Sequence, residues 1–383
     1  MAVYAITVDG AALGARLHRS FPQADLFIAE KWLGQGSQAN GGLANGGLAN
    51  GRLPGLPLEA KPLAFPLGPE LAGLFARYDC HVFIVSVGAV VRLIAPLLQN
   101  KLTDPAVVCV DDAGRVAVSV LSGHLGRGNE FTHQVARALG AQPVITTASD
   151  AQGTLTVDIL GREFGWSLDD PSRNVTGACS AVVNRRPVLV VQLAGETGWW
   201  PADKPLPPGV VLTHSLEGVD PQQWEALVVI ADLDIRESHP AVWQAAVIHR
   251  PKSLVLGIGC DKNTPADLVQ RGVQTLLERH HLAPASVKGL ATIDLKQEEP
   301  ALLALSAKMG WPLVTYPARQ LAGVQGIETP SAMVQKHTGT PGVAEPACLL
   351  AAGADKLLVA KQTYTEEGAG RSMTFAAARL AAL

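Results

Sequence analysis

The chain has 383 residues, 48% of them apolar and 17% charged, with a formal net charge of -3. That composition supports two or three domains with sizeable cores and excludes disorder over most of the length. It shows no basic run or basic-aromatic face for nucleic acid and no apolar stretch of the roughly 18 uncharged residues a membrane span needs. The five cysteines are scattered, with no Cys-x-x-Cys pair, which argues against a disulfide framework or structural zinc and for a reducing cytoplasm.

Taken in order, Ala2 to Val8 reads as a first strand and not as a signal peptide, since no basic n-region precedes it. Leu26 to Ala29 reads as another strand. Residues 34–57 hold a near-repeat, Ala39-Asn-Gly-Gly-Leu, Ala44-Asn-Gly-Gly-Leu, Ala49-Asn-Gly-Arg-Leu. Glycine and asparagine at that density cannot offset the entropy of ordering, so a low-complexity insertion without a catalytic role is expected. Leu71 to Tyr78 reads as a helix, His81 to Val87 as a buried strand, and Val90 to Leu98 as an apolar helix after Gly88.

Val107 to Val110 and Val116 to Leu121 flank Asp111-Asp112-Ala-Gly, a turn of hairpin type. The stretch that follows organises the chain: Ser122-Gly123-His124-Leu125-Gly126-Arg127-Gly128-Asn129, then a helix from Glu130 to Leu139. Three glycines let the backbone turn sharply and approach a ligand. Asn129 is placed to cap the helix, and a glycine-rich turn at a helix N-terminus presents N–H groups to a carboxylate or an oxyanion. An imidazole ordinarily titrates near neutral pH, so His124 suits a general base. Glu130 is a candidate catalytic carboxylate. The plain alternatives are a histidine bonded within its own loop and a first-turn carboxylate that favours the helix dipole.

Pro143 to Thr147 reads as a short strand leading to Ser149-Asp150. From Thr154 to Arg250 the pattern is less regular, with strands at Val188 to Leu193 and Ala226 to Ala231. Trp166, Trp199, Trp200, Trp224 and Trp243 are expected in this segment's core. A strand at Leu254 to Ile258 leads into Gly259-Cys260-Asp261-Lys262-Asn263, with Thr264 as N-cap, Pro265 at the first helical position and Asp267 closing a capping box. Gly257-Ile-Gly259 starts like a dinucleotide fingerprint, but Lys262 stands where the third glycine belongs. Strands at Leu290 to Ile293 and Pro312 to Tyr316 follow. Asp294, Lys296 and Glu298 lie just past one strand end, where a functional cluster and a solvated one are equally compatible with the pattern. A helix at Val343 to Ala352 and two closing strands, Leu357 to Ala360 and Met373 to Ala377, complete the chain.

Strands alternating with helices predict an α/β fold: two or three layered domains, largely parallel sheets and glycine-rich strand-to-helix turns. The expected divisions are 1–140, 141–250 and 251–383. In such sheets ligands bind beyond the carboxyl ends of strands.

Several long motifs, in order, resemble the cobalt-precorrin-5A hydrolase family. They are Phe83-Ile-Val-Ser-Val-Gly-Ala-Val-Val-Arg-Leu-Ile-Ala-Pro96, Asp104-Pro-Ala-Val-Val108, Leu121-Ser-Gly-His-Leu-Gly126 with Asn129-Glu130, and Pro143-Val-Ile-Thr-Thr147. In the carboxyl-terminal third they are Gly257-Ile-Gly-Cys260, Ala291-Thr-Ile-Asp-Leu-Lys296, Gly339-Thr-Pro341 and Lys361-Gln362. Arg127-Gly128 and Asp261 with Asn263 depart from the family pattern. The resemblance implies opening of the δ-lactone of cobalt-precorrin-5A with release of acetaldehyde, on a substrate that brings its own cobalt, so that no cofactor and no protein-held metal is expected. It implies substrate and water as partners, with transient contact with precorrin methyltransferases. On this reading His124 and Glu130 are catalytic, and N–H groups of Gly126 and Gly128 hold the oxyanion. Gly88, Arg92, Ser122, Gly123, Gly126, Arg127, Gly128, Asn129, Gly259, Cys260, Lys262, Thr264, Asp294, Lys296 and Thr340 are the expected substrate-binding residues. A Schiff base at Lys296 is the minor catalytic alternative, and a non-catalytic corrinoid carrier is the alternative function.

Overall fold

Short valine-, isoleucine- and alanine-rich runs form the strands of three sheets in the computed structural model, which describes residues 1–34, 52–368 and 370–381. Residues 35–51, which hold most of the Ala-Asn-Gly repeat, lie outside the described residues. Their flanks meet, with Leu33 bridging Arg52 and the Leu53 N–H donating to the Trp32 carbonyl at 3.0 Å. No helix among the described residues is long and apolar enough to cross a membrane.

The chain divides into two compact units, Met1–Thr154 and Leu155–Leu383. The first is built on β1 (Ala2–Ala5), β2 (Asp25–Ala29), β3 (Lys61–Leu63), β4 (Cys80–Ile84), β5 (Ala106–Val110), β6 (Val116–Leu121) and β7 (Gln142–Val144), in the order β3-β2-β1-β4-β5-β6-β7. Its last strand lies beyond the division expected at 140. Helices α1 (Val8–Ser20) and α4 (Gly128–Leu139) cover one face, and α2 (Leu67–Leu74) and α3 (Val87–Ile94) cover the other. A short α5 (Ala148–Gln152) follows β7.

Strands β1 to β5 run parallel, whereas β6 returns antiparallel to β5 and carries β7 with it. This reversal decides where the turns lie. The register pairs Ile84 with Val110 and Val107 with Leu121. The turn after β6 therefore sits where β5 begins, while Gly88 and Arg92, past the end of β4, sit at the other end of the sheet. At about 3.3 Å per residue a five-residue strand puts roughly 17 Å between them. The structure thus separates Gly88 and Arg92 from Ser122–Asn129. Arg92 instead donates to the Gly88 carbonyl at 2.8 Å.

In the second unit, β8 (Ser167–Leu168), β9 (Val188–Gln192), β10 (Val210–Thr213), β11 (Ala226–Ile230) and β12 (Ala246–Arg250) are ordered β10-β9-β11-β12-β8, parallel except for β8. They pack against α6 (Val175–Val183) and α7 (Pro240–Ala245). Of the tryptophans placed in this core, Trp166 and Trp199 are buried, and Trp200, Trp224 and Trp243 are half-buried. The third sheet takes β13 (Leu254–Cys260), β14 (Val287–Ile293), β15 (Leu313–Tyr316), β16 (Val359–Thr365) and β17 (Ser372–Arg379) in the order β15-β14-β13-β17-β16. Strands β13 to β15 are parallel, and β17 runs antiparallel to both its neighbours, β13 and β16. Its helices are α8 (Ala266–Arg279), α9 (Pro300–Met309), α10 (Ala318–Ala322), α11 (Ala332–Thr338) and α12 (Ala344–Ala352). Fully buried Asp232 ties these two sheets together, accepting from Ser253 Oγ and from Arg379 Nε and Nη2, each at 2.7 Å.

Each unit buries a neutral histidine. His81 lies within the ring stack of Tyr4, Phe75 and Phe83. Its Nε2–H donates to the Phe75 carbonyl at 2.9 Å, which leaves Nδ1 to accept from the Tyr4 hydroxyl at 3.0 Å. Burial pushes His81, and likewise His249, down to about 4. The unfolded chain takes up these protons near pH 6.5 and the folded chain refuses them until about pH 4. Stability present above pH 6.5 is therefore lost between those values, by about 3 kcal/mol for each histidine. Urea midpoints measured from pH 7 to pH 4.5 should fall progressively. Constant midpoints over that range would contradict this account.

Candidate active site

The turn after β6 is held by a side-chain network running between β6, α4 and the β7–α5 connection. Ser119 Oγ donates to Asn129 Oδ1 at 2.8 Å. Asn129 Nδ2 donates to Thr147 Oγ1 at 2.9 Å and to Asp150 Oδ2 at 3.0 Å, and Thr147 Oγ1 donates to the same carboxylate oxygen at 2.5 Å. The network also holds His124, whose Nε2 lies 2.8 Å from Asp150 Oδ2 and 3.2 Å from Ser149 Oγ. Burial pushes the Asp150 carboxyl up, but the hydrogen bonds from Thr147, His124 and Asn129 help to outweigh it and hold it below the usual carboxylate range. A carboxylate only accepts, so Nε2–H donates to Asp150, and whenever the ring is neutral its lone pair lies on Nδ1. The His124 side chain is 17% exposed, enough for a small reactant to reach the ring edge.

Asn129 is not the helix cap. It lies inside α4, 8% exposed, with its side chain in the network just described. The glycines also act differently from expectation. Positive φ falls on Ser122 (54°) and Arg127 (63°), not on Gly123, Gly126 or Gly128. The glycines are required for space: a Cβ on Gly123 would stand 2.7 Å from Asn129 Oδ1, and one on Gly128 would stand 2.6 Å from the Leu121 carbonyl. Such contacts cannot be relieved without moving the network or the backbone. The tightness also uses up amides. Gly128 N–H donates to the Ser122 carbonyl and Asn129 N–H to the Gly123 carbonyl, each at 2.9 Å. Gly128 therefore cannot serve as an oxyanion donor, while the Gly126 amide has no acceptor among the described residues. Ser122 Oγ donates to the Asp104 carbonyl at 2.8 Å and anchors the turn to the start of β5.

Glu130 belongs to the surface of α4. Arg127 clasps it with Nε to Oε2 at 2.7 Å and Nη2 to Oε1 at 2.5 Å, and Gln134 donates to it at 3.0 Å. Arg127 also lies over the Phe131 ring. This i,i+3 pair stabilises the first helical turn, while Asp150 supplies a carboxylate directly to the His124 ring.

A second cluster forms at the carboxyl ends of β13 and β14, which are parallel neighbours. Glu299, 7% exposed, joins it: Oε2 pairs with Lys296 Nζ at 2.9 Å and Oε1 accepts from the Asn263 N–H at 2.9 Å. Lys296 is thus held in an ion pair. Burial pushes the Cys260 thiol up to about 11, with Lys296 opposing the rise, so it is neutral at physiological pH. The cap expected at Thr264 is absent: α8 begins at Ala266 with Pro265 before it, and buried Thr264 donates to the Asp261 carbonyl at 2.9 Å. Asp267 pairs with Arg271 instead of closing a box. Gly259 is half-buried, Lys262 and Asp294 are exposed, and fully buried Thr340 spends its hydroxyl on the Gly342 carbonyl at 3.0 Å, which makes it a loop staple. Among the described residues no three His, Cys, Asp or Glu side chains are placed to share a metal ion.

Comparison with known proteins decides what this scaffold is. Residues 70–150 match the family "Cobalamin synthesis G N-terminal", 155–251 "Cobalamin biosynthesis central region", and 254–378 "Cobalamin synthesis G C-terminus". A cobalt-precorrin-5A hydrolase from Priestia megaterium is 38% identical over 361 residues, 94% of this chain and 91% of that protein. The chain belongs to the cobalt-precorrin-5A hydrolase family. A cobalt-precorrin-5A hydrolase from Salmonella typhimurium is 31% identical over 72% of this chain and 77% of its own length, and Protein CobE from Sinorhizobium sp is 36% identical over 28% and 71% respectively. The hydrolase acts in cobalamin biosynthesis, as its family does. Sequence reasoning missed Asp150 and Glu299. For Asp150 the available signal was Thr146-Thr147-Ala-Ser-Asp150, a polar run directly after a strand. For Glu299 it was the three-residue spacing from Lys296.

Proposed function

We propose that the chain opens the δ-lactone of cobalt-precorrin-5A with water, and that His124, positioned by Asp150, is the base. The reading rests on one observation: the 2.8 Å contact between His124 Nε2 and the ionised Asp150 carboxylate. With Nε2 committed as donor, Nδ1 takes a proton from water as its oxygen adds to the lactone carbonyl carbon. The resulting imidazolium is stabilised by Asp150, and the tetrahedral oxyanion is held by the Gly126 amide. Collapse breaks the ring C–O bond, and the imidazolium returns its proton to the departing alkoxide. The freed hydroxyl then loses its proton, the adjacent carbon–carbon bond breaks, acetaldehyde leaves, and the electron pair passes into the macrocycle. The cobalt that makes this ring a good electron acceptor belongs to the substrate, so the same reading requires no further cofactor. It also includes substrate binding by Ser122–Arg127, transient exchange with the precorrin methyltransferases and a cytoplasmic location.

Asp150→Asn tests the pairing. The amide keeps the shape and removes the charge that fixes the ring's tautomer and steadies its protonated form. Acetaldehyde release should fall by about tenfold or more in kcat, with KM and the thermal midpoint little changed. A kcat within about twofold of the parent would remove Asp150 from the mechanism.

A further inference from the structure

A cavity of about 470 Å³ lies within the second unit, away from the Cys260–Lys296 cluster. The loop after β11 forms one wall, through Asp234, Arg236 and Glu237, and α8 and the stretch from α9 to Trp311 form the others. Loop and helix are tied at its edge, where the Asp234 N–H donates to the His281 carbonyl at 2.6 Å and Leu233 bridges Leu282. The floor is apolar, made by Val273, Leu277, Leu282, Leu305 and Trp311. Its volume falls within the range of small-molecule sites.

The charges at the mouth select the ligand. Asp234 and Arg236 neutralise one another through contacts of 2.5 to 2.9 Å. Glu237 and Glu278 remain, with His281 Nδ1 3.9 Å from Glu237. The carboxyl end of the 14-residue α8 also opens here and adds its negative pole. This surplus repels a polycarboxylate such as the family's substrate, and an indole wall favours a cation beside an apolar ring. We propose that this cavity is a binding site for a small aromatic amine, with the ring on the Leu277–Trp311 floor and the ammonium toward Glu237 and Glu278.

The proposal stands independently of the lactone chemistry, and binding alone tests it. The full chain is titrated with 1-naphthylmethylamine and, separately, with 1-naphthoate, followed by saturation-transfer NMR and by the thermal midpoint. The amine should bind saturably at millimolar concentration or below and raise the midpoint, and naphthoate should bind about three- to tenfold more weakly. Gln274→Trp, at an exposed rim position, should block the amine without loss of fold. The double variant Glu237→Gln with Glu278→Gln should weaken the amine severalfold and bring the two probes together. Absence of saturable amine binding, equal binding of naphthoate, or amine binding untouched by Gln274→Trp would each overturn the proposal.

Discussion

His124→Ala is expected to release acetaldehyde at least about a hundredfold more slowly than the parent while remaining folded. A positioned general base contributes roughly 10² to 10⁴ in rate. The imidazole contributes little to packing: it lies in a turn, not in either core cluster of the first unit. Asp150 keeps Thr147 and Asn129 as donors when the ring is gone, so the turn retains its shape and the loss appears in kcat. Two further results separate a base from a structural histidine. Imidazole added to His124→Ala should restore part of the rate, since the truncated site leaves room for the missing ring. His124→Ala combined with Asp150→Asn should be little worse than His124→Ala alone, because Asp150 acts through the ring it orients. Normal release by His124→Ala, or a double variant as slow as the product of the two single losses, would show that the pair is not a catalytic unit.

The turn around His124 was legible because glycine, serine and asparagine between an apolar strand and an amphipathic helix mark a tight junction with open backbone. Its partner was not. Asp150 is 26 residues away, and the contact exists only because β7 lies parallel to β6, with Val116 opposite Gln142 and Val118 opposite Val144. Register between strands of separate supersecondary units is a tertiary property that no local pattern carries. Glu130 is met by Arg127 three residues earlier, the spacing of a helix ion pair. The same limit applies to Gly88 and Arg92. They follow a strand end, as the turn at His124 does, but the antiparallel return of β6 sends the two turns to opposite ends of the sheet.

Strands that are mostly apolar, such as β4, β5, β9 and β11, were readable from composition. Two with a larger polar or proline share were not. Strand β12 includes His249 and Arg250, both about 1% exposed, and Arg250 is supported by Asp169 and by the carbonyls of Ala231 and Leu233. Strand β3, Lys61–Leu63, contains a proline and sits at the sheet edge where a missing N–H is tolerated. In both cases the surroundings satisfy groups that a one-dimensional reading counts against a strand.

Gly257→Ala should be the most damaging single-methyl addition in the second unit. Gly257-Ile-Gly259 invites a reading as a phosphate-binding turn, but Gly257 lies within β13 and faces the first turn of α12. A Cβ built there would stand 1.8 Å from the Ala344 carbonyl oxygen and 2.7 Å from its carbonyl carbon. Both are backbone atoms, so no side chain can swing aside. Either α12 lifts off the sheet or β13 bends, and fully buried Ala347 and Cys348 move with the helix. Overpacking a core commonly costs about 1 to 3 kcal/mol, and a backbone clash this close should reach or exceed the upper figure. For a unit of this size that is a fall of roughly 10 °C in the thermal midpoint, or failure to accumulate as soluble protein. Gly177→Ala provides the contrast within the same unit: it lies in α6, and nothing stands within 4 Å of its added Cβ. Lower helix propensity of glycine predicts a gain of about 0.5 to 1 kcal/mol there. The same methyl group should therefore act with opposite sign at the two positions, because β13 meets a helix backbone and α6 meets solvent. A Gly257→Ala midpoint within about 2 °C of the parent would mean that α12 does not rest on β13 as closely as its role in the third sheet requires.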